Sequence, residues 1–282
     1  MKLLAILLSL FISMPAFAGK LTRDQIDWCK AQTPPLTKKE CKEHWSNPNP
    51  PPPPPPPPEV WTPSAPTSFY IQLTGNTSNV NVAVDAYETD LFDSDPIPAG
   101  VGIAYFSAGS YEDWRPDEGD FPESVKGRSN GWPGEKWLDI RQLDVLGPIM
   151  AKRMDLAVAK GYRAVDPDNV DGYDNRTGFR ISYNDQIKYN RMLANLAHER
   201  GLAIGLKNNL GQIRDLLPLY EFAVNEECFD FGECGDLSPF ISADKPVFQI
   251  QYNRLYCDQA AELGFYHVRK KKDLNAWRRT CD

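Results

Sequence analysis

Short runs rich in β-branched and aromatic residues recur along the second part of the chain, each bounded by turn-forming residues, and such runs predict strands. Eight are present: Phe69–Leu73, Ala83–Thr89, Val101–Phe106, Tyr162–Asp166, Leu202–Leu206, Glu221–Asn225, Pro246–Ile250 and Phe265–Val268. Between several of them the apolar spacing changes to the helical period, predicting helices over Gln142–Ala159, Tyr183–Glu199 and Arg254–Leu263. Gly161, Gly201 and Gly264 follow these stretches, where a helix ends most easily on a left-handed residue. Strands alternating with helices imply repeated βα units, and residues 60–282 are enough for one barrel. The expected fold is therefore α/β, a (β/α)8 TIM barrel. An open doubly wound sheet is the alternative, but no Gly-rich phosphate loop follows the first predicted strand.

The pattern ahead of the barrel is different. Lys2, the apolar run Leu3 to Ile12 and the small-x-small triplet Ala16-Phe17-Ala18 predict an export signal over residues 1–18, and hence a secreted protein, extracellular or periplasmic. A membrane anchor is the competing reading, but a spanning helix needs about twenty apolar residues, so no span is expected once the signal is removed. Residues 19–46 hold Trp28, Trp45 and two cysteines. So short a segment buries little core and needs a disulfide, which suits a pinned helical spacer better than a carbohydrate-binding module. Residues 47–59 contain the unbroken run Pro50 to Pro58, an extended polyproline linker.

Composition adds two constraints. The six cysteines fit an oxidising compartment and fall in three local pairs, Cys29 with Cys41, Cys228 with Cys234 and Cys257 with Cys281, although sequence leaves other connectivities open. Zinc is the sharper alternative, yet there is no Cys-x-x-Cys and His44, His198 and His267 stand far apart. No metal and no cofactor are expected. The formal charge of -7 argues against a nucleic-acid partner and tolerates a cationic one.

In a barrel of this kind chemistry collects at the C-terminal ends of the strands. Polar groups stand there in phase: Gln72, Asp90, Ser107 with Ser110, Tyr111 and Glu112, then Asp166 and Asp168, Lys207 and Asn208, Glu226, and Gln251. Asp166 and Asp168 are two apart, so an extended strand presents both on one side, and carboxyls crowded together split into an acid and a base. Asp166, Asp168 and Asn169 could instead hold calcium, but the EF-hand spacing is not met. Glu226 follows a buried-type strand and should face the mouth, with Glu227 turned away and the Cys228–Cys234 pair bracing the loop. Two acids on opposite walls, with Trp114, Trp132, Trp137, Tyr111 and Tyr173 on loops at that face, suit cleavage of a glycosidic bond. Serine chemistry lacks its Gly-x-Ser-x-Gly elbow.

Longer motifs make this specific. The segments Tyr105 to Pro116, Gly131 to Arg141, Pro167-Asp168-Asn169-Val170-Asp171-Gly172-Tyr173, Gly205-Leu206-Lys207-Asn208 and Asn225-Glu226-Glu227-Cys228 resemble glycoside hydrolase family 114, the endo-α-1,4-polygalactosaminidases, from about Trp61 onward. The resemblance implies an enzyme that cuts inside α-1,4-linked galactosamine and N-acetylgalactosamine polymers of biofilm exopolysaccharide, a polysaccharide partner that is cationic where deacetylated. It carries the family's catalytic pair onto Asp168, as nucleophile, and Glu226, as acid/base. Asp90, Ser107, Tyr111, Glu112, Trp132, Asp166, Asp171, Tyr173, Lys207, Asn208 and Gln251 are the candidate substrate-binding residues. Two positions depart from the family, which commonly has glutamate at Asp166 and an acid at Gln251. The rival readings are a hydrolase or deacetylase of another exopolysaccharide, and a non-catalytic carbohydrate-binding barrel.

Overall fold

The computed structural model describes residues 20–30, 37–45 and 59–281. The predicted export signal and most of the proline linker lie outside them. Two compact units divide the chain near Pro56. In the first, helices Arg23–Lys30 and Lys38–Trp45 are joined by the Cys29–Cys41 disulfide. Among the described residues no helix is long and apolar enough to cross a membrane.

The second unit is the barrel. Its eight parallel strands are β1 (Phe69–Gln72), β2 (Ala86–Asp90), β3 (Val101–Ser107), β4 (Ala164–Asp168), β5 (Ala203–Lys207), β6 (Phe222–Glu226), β7 (Val247–Gln251) and β8 (Tyr266–Lys270), paired in sequential order. Each overlaps one of the eight predicted runs. The seam between β8 and β1 is bridged by the Lys270 ammonium, which donates to the Ile71 carbonyl at 2.7 Å, and by the Leu73 N–H on the Leu274 carbonyl at 2.9 Å. The short strand Arg278–Thr280 runs antiparallel to β8, and the Cys257–Cys281 disulfide fastens the chain end to the last helix.

The period-two alternation of the strands decides what fills the barrel. Phe69, Phe222 and Phe248 plug its lower end, Phe69 stacking on Phe248 with ring centroids 4.3 Å apart. Ile71, Ile103, Val224, Ile250 and Val268 form further apolar filling. The alternate residues of β3 to β6 face outward onto helices Leu143–Lys160 and Tyr183–His198, whose apolar stripes make the larger core. A capping box at Ser182 and Asp185 starts the second helix, and left-handed Gly161 ends the first.

The repeat is uneven. Irregular loops, not helices, follow β1 and β2, and a long excursion after β3 carries a small antiparallel sheet of Ser110–Glu112, Lys126–Ser129 and Glu135–Leu138. The Arg153 guanidinium pins that excursion to the helix, bonding Asp117 at 2.7 and 2.9 Å and the Ser107 carbonyl at 2.7 Å.

Candidate active site

Three neighbouring strands deliver the central groups. Asp166 and Asp168 come from β4, Lys207 from the end of β5 and Glu226 from the end of β6. Each of these strands turns away through a left-handed residue just past its last functional side chain: Asn169 at φ 61°, Asn208 at φ 52° and Glu227 at φ 62°. Asparagine tolerates this conformation through local hydrogen bonding, whereas glutamate does so at a cost. The turn at Glu227 also breaks the alternation, and Glu227 is among the residues lining the cleft.

Lys207 is the hub. Its buried ammonium lies 3.4 Å from Asp166 Oδ2, 3.7 Å from Asp168 Oδ1 and 3.7 Å from Glu226 Oε2. Burial lowers its hold on the proton, but the three carboxylates outweigh this and keep it well above the ordinary lysine range. Asp168 Oδ2 accepts from the Tyr105 hydroxyl at 2.8 Å, and Oδ1 from the Asn169 N–H at 2.7 Å. Glu226 Oε2 accepts from Asn208 Nδ2 at 3.0 Å, and Oε1 from the Tyr252 hydroxyl. Burial raises the Glu226 carboxyl, yet Lys207 and these donors outweigh it and leave it below the usual range. Asp166 is different: burial dominates, Lys207 opposes it, and the group is pushed up to about 6.

The groups stand in a solvent-open cleft of two lobes. One, of about 410 Å³, is lined by Asp171, Tyr173, Asn208, Glu227, Phe231 and Glu233 among others. The second, of about 330 Å³, is lined by Asp90, Tyr105, Glu112, Trp114, Arg115 and Asp168 among others. Trp132, Glu226, Tyr252 and Lys272 line both, so Glu226 stands where the lobes meet. Phe231, Trp132 and Trp114 are the most exposed aromatic rings of the barrel, at 71, 58 and 50 %. In the first lobe Asp171 is pushed up to about 6, by burial and then by Asp168.

The remaining predicted residues divide. Asp90 lines the second lobe, but its oxygens are taken by the Arg115 fork at 2.9 and 2.7 Å and by the N–H groups of Phe92 and Asp93. Glu112 joins the same arginine at 2.9 Å, and burial raises its carboxyl despite that partner. Ser107 is buried against Ser110 and Asn169, bracing the end of β4. Tyr111 packs on Phe121 and donates to Glu118 inside the excursion. Gln251 is fully buried and accepts from Gln249 at 2.8 Å, with the parity of the outward-facing residues of β7. Tyr252, the first residue past the end of β7, is the one that reaches the site. Tyr105, Arg115, Tyr252, Lys272 and the buried Glu88 were not singled out from sequence. Strand parity would have found three of them: Glu88 precedes Asp90 by two, Tyr105 precedes Ser107 by two, and Tyr252 follows Ile250 by two.

Similarity to known proteins bears on the same barrel. The profile of the glycoside-hydrolase family GH114 matches residues 51–282. The crystal structure of Ega3 from Aspergillus fumigatus in complex with galactosamine is 36% identical, covering 79% of this chain and 98% of that one with a TM-score of 0.72. The glycoside hydrolase domain of PelA from Pseudomonas aeruginosa is 13% identical and shares the fold, with a TM-score of 0.60 over 76% of this chain and 98% of its own. No curated protein sequence matches the chain.

Proposed function

We propose, from the premise that the chain belongs to glycoside hydrolase family GH114 and is a glycoside hydrolase, that it is an exported endo-enzyme cleaving α-1,4-linked galactosamine polymers. The observation that carries this is the position of Glu226 at the junction of two lobes while Asp168 lines only one. A chain laid along both lobes puts an interior bond over Glu226. The sugar in the Asp168 lobe offers its anomeric carbon, and the sugar in the other lobe is the leaving group. An acid must reach the oxygen between two sugars, a nucleophile only the carbon of one, so Glu226 is the acid/base and Asp168 the nucleophile.

In the first step an Asp168 oxygen bonds to the anomeric carbon, the bond from that carbon to the bridging oxygen breaks, and the Glu226 proton passes to the leaving oxygen. In the second, water gives a proton to Glu226 and its hydroxyl to the anomeric carbon, releasing Asp168. Lys207 balances the nucleophile's charge before attack. Asp168 Oδ1 and Glu226 Oε2 each lie 3.7 Å from one nitrogen, so they cannot be farther apart than twice that distance. This bound accommodates the ~5 Å of retaining enzymes and excludes most of the ~6.5–9.5 Å of inverting ones, favouring retention. The acids Asp171, Asp174, Glu227 and Glu233 in the first lobe suit a deacetylated, cationic polymer, as does the galactosamine held by Ega3.

The test is to incubate the purified protein with a galactosamine-rich exopolysaccharide, measuring new reducing ends and the anomer formed first. Wild type should release reducing ends with the α-configuration kept, and Asp168→Asn and Glu226→Gln should each lose at least ~10³-fold in kcat. Wild-type rates in both variants would sink the assignment of the pair. Acetate release without reducing ends would make the protein a deacetylase.

A further inference from the structure

Below the two carboxylates the barrel interior holds a further acid that lines neither lobe. Glu88, in the middle of β2, is fully buried, and neither carboxyl oxygen has a hydrogen-bond partner. Asp166 on β4 is fully buried as well; its Oδ2 faces Lys207, and its Oδ1 is also without a partner. β2 and β4 pair with β3 on its two sides, and of the charged groups around Glu88 the Asp166 carboxyl acts on it most strongly. Two carboxylates cannot satisfy each other, since both accept and neither donates, but a single proton between them satisfies both.

The surroundings decide which group carries it. The charged groups facing Glu88 are Asp166 from β4, Lys207 from β5 and Glu226 from β6, while the flanking residues in register on β1 and β3 are Ile71 and Ile103. Lys207 is already shared among Asp166, Asp168 and Glu226 at 3.4–3.7 Å. An ionised Glu88 would add a fourth anion to one ammonium, shut off from bulk solvent. Burial first, and then the Asp166 charge, drive Glu88 toward its acid form, well above the usual carboxyl range. Asp166 keeps the ammonium contact and is lifted less.

We propose that Glu88 is a positioning residue of the glycosidase: its carboxyl keeps a proton at neutral pH and donates it to Asp166 Oδ1, which fixes Asp166 as the anion that anchors Lys207 between Asp168 and Glu226. Glu88 touches no substrate. It acts through Asp166, and Lys207 in turn stands equally far from both members of the catalytic pair.

Its consequence for rate rests on the glycosidase reading, whereas the location of the proton does not, and the experiment separates them. Full-length wild type, Glu88→Gln and Glu88→Met are compared on the galactosamine polymer and by infrared spectroscopy at neutral pH. Glutamine keeps a neutral donor and should retain kcat within about threefold; methionine removes the donor and should lose about tenfold or more in kcat with KM nearly unchanged. The wild-type spectrum should show the C=O stretch of a protonated carboxyl that Glu88→Gln lacks. Equal loss in both variants would mean that a charged Glu88 is needed, and a fully active Glu88→Met would mean that Asp166 needs no donor; either overturns the proposal. So does the absence of the infrared band. Should Glu88→Met fail to fold, activity of Glu88→Gln and the band decide alone. If wild type cleaves no such polymer while the band is present, the glycosidase reading fails and the shared proton stands.

Discussion

In the proposed mechanism the residue that ties the chemistry to pH is Glu226. Lys207, Tyr252 and Asn208 hold it ionised in the free enzyme against the effect of its burial, so an acid that must start protonated becomes scarcer as pH rises. We expect kcat/KM to fall with rising pH from the acid side onward, starting below the usual carboxyl range. Tyr252→Phe removes a donor to the charged form, raises the Glu226 pKa and should move that falling limb to higher pH; an unmoved limb would show that another group supplies the proton. Asp171 has the opposite balance. Burial and Asp168 lift it to about 6 when folded, against about 4 in an unfolded chain. The folded state therefore binds the extra proton between those values, stability drops as pH rises through that window, and the loss is complete above it. Asp171→Asn should gain ~1–3 kcal/mol at pH 7 and nothing at pH 4, as read by denaturant unfolding. Sequence made the pair Asp168 and Glu226 visible because each ends an apolar strand within a long motif. It hid Glu88, because strand interiors are expected to be apolar, and it put Gln251 in place of Tyr252, because a one-residue shift in strand end reverses the face.

At the scale of elements, the eight strands and three main helices were legible from periodicity, since both report a buried face. The excursion after β3 was not. Its strands are short, and what fastens them is the Arg153 fork and the meeting of two backbones at Gly109. The Gly109 N–H donates to the Asp168 carbonyl at 3.0 Å, and a Cβ there would fall 1.6 Å from the Asn169 carbonyl oxygen. No side chain fits without pushing the excursion off the end of β4. Gly109→Ala should cost at least ~10²-fold in kcat through displacement of Asp168, with a lowered melting temperature. A fully active variant would mean that the end of β4 is held in place by other contacts.

For the whole molecule, the formal charge of -7 is joined by acids lining the cleft. Attraction for a cationic polymer should weaken as salt shortens the screening length from ~30 Å at 10 mM to ~8 Å at 150 mM. KM for a deacetylated polymer should therefore rise several-fold across that range with kcat little changed, while a fully acetylated polymer shows no such trend; equal behaviour of the two would remove charge from recognition. The paired lobes have a mechanical consequence as well. Under the proposed endo-cleavage, a site open on both sides of the scissile bond severs strands at mid-length, and one cut halves the span of the molecule that carries load. A gel of such chains loses its elasticity after very few cuts, while nearly all of its sugar is still polymeric, so softening should run far ahead of the release of small products.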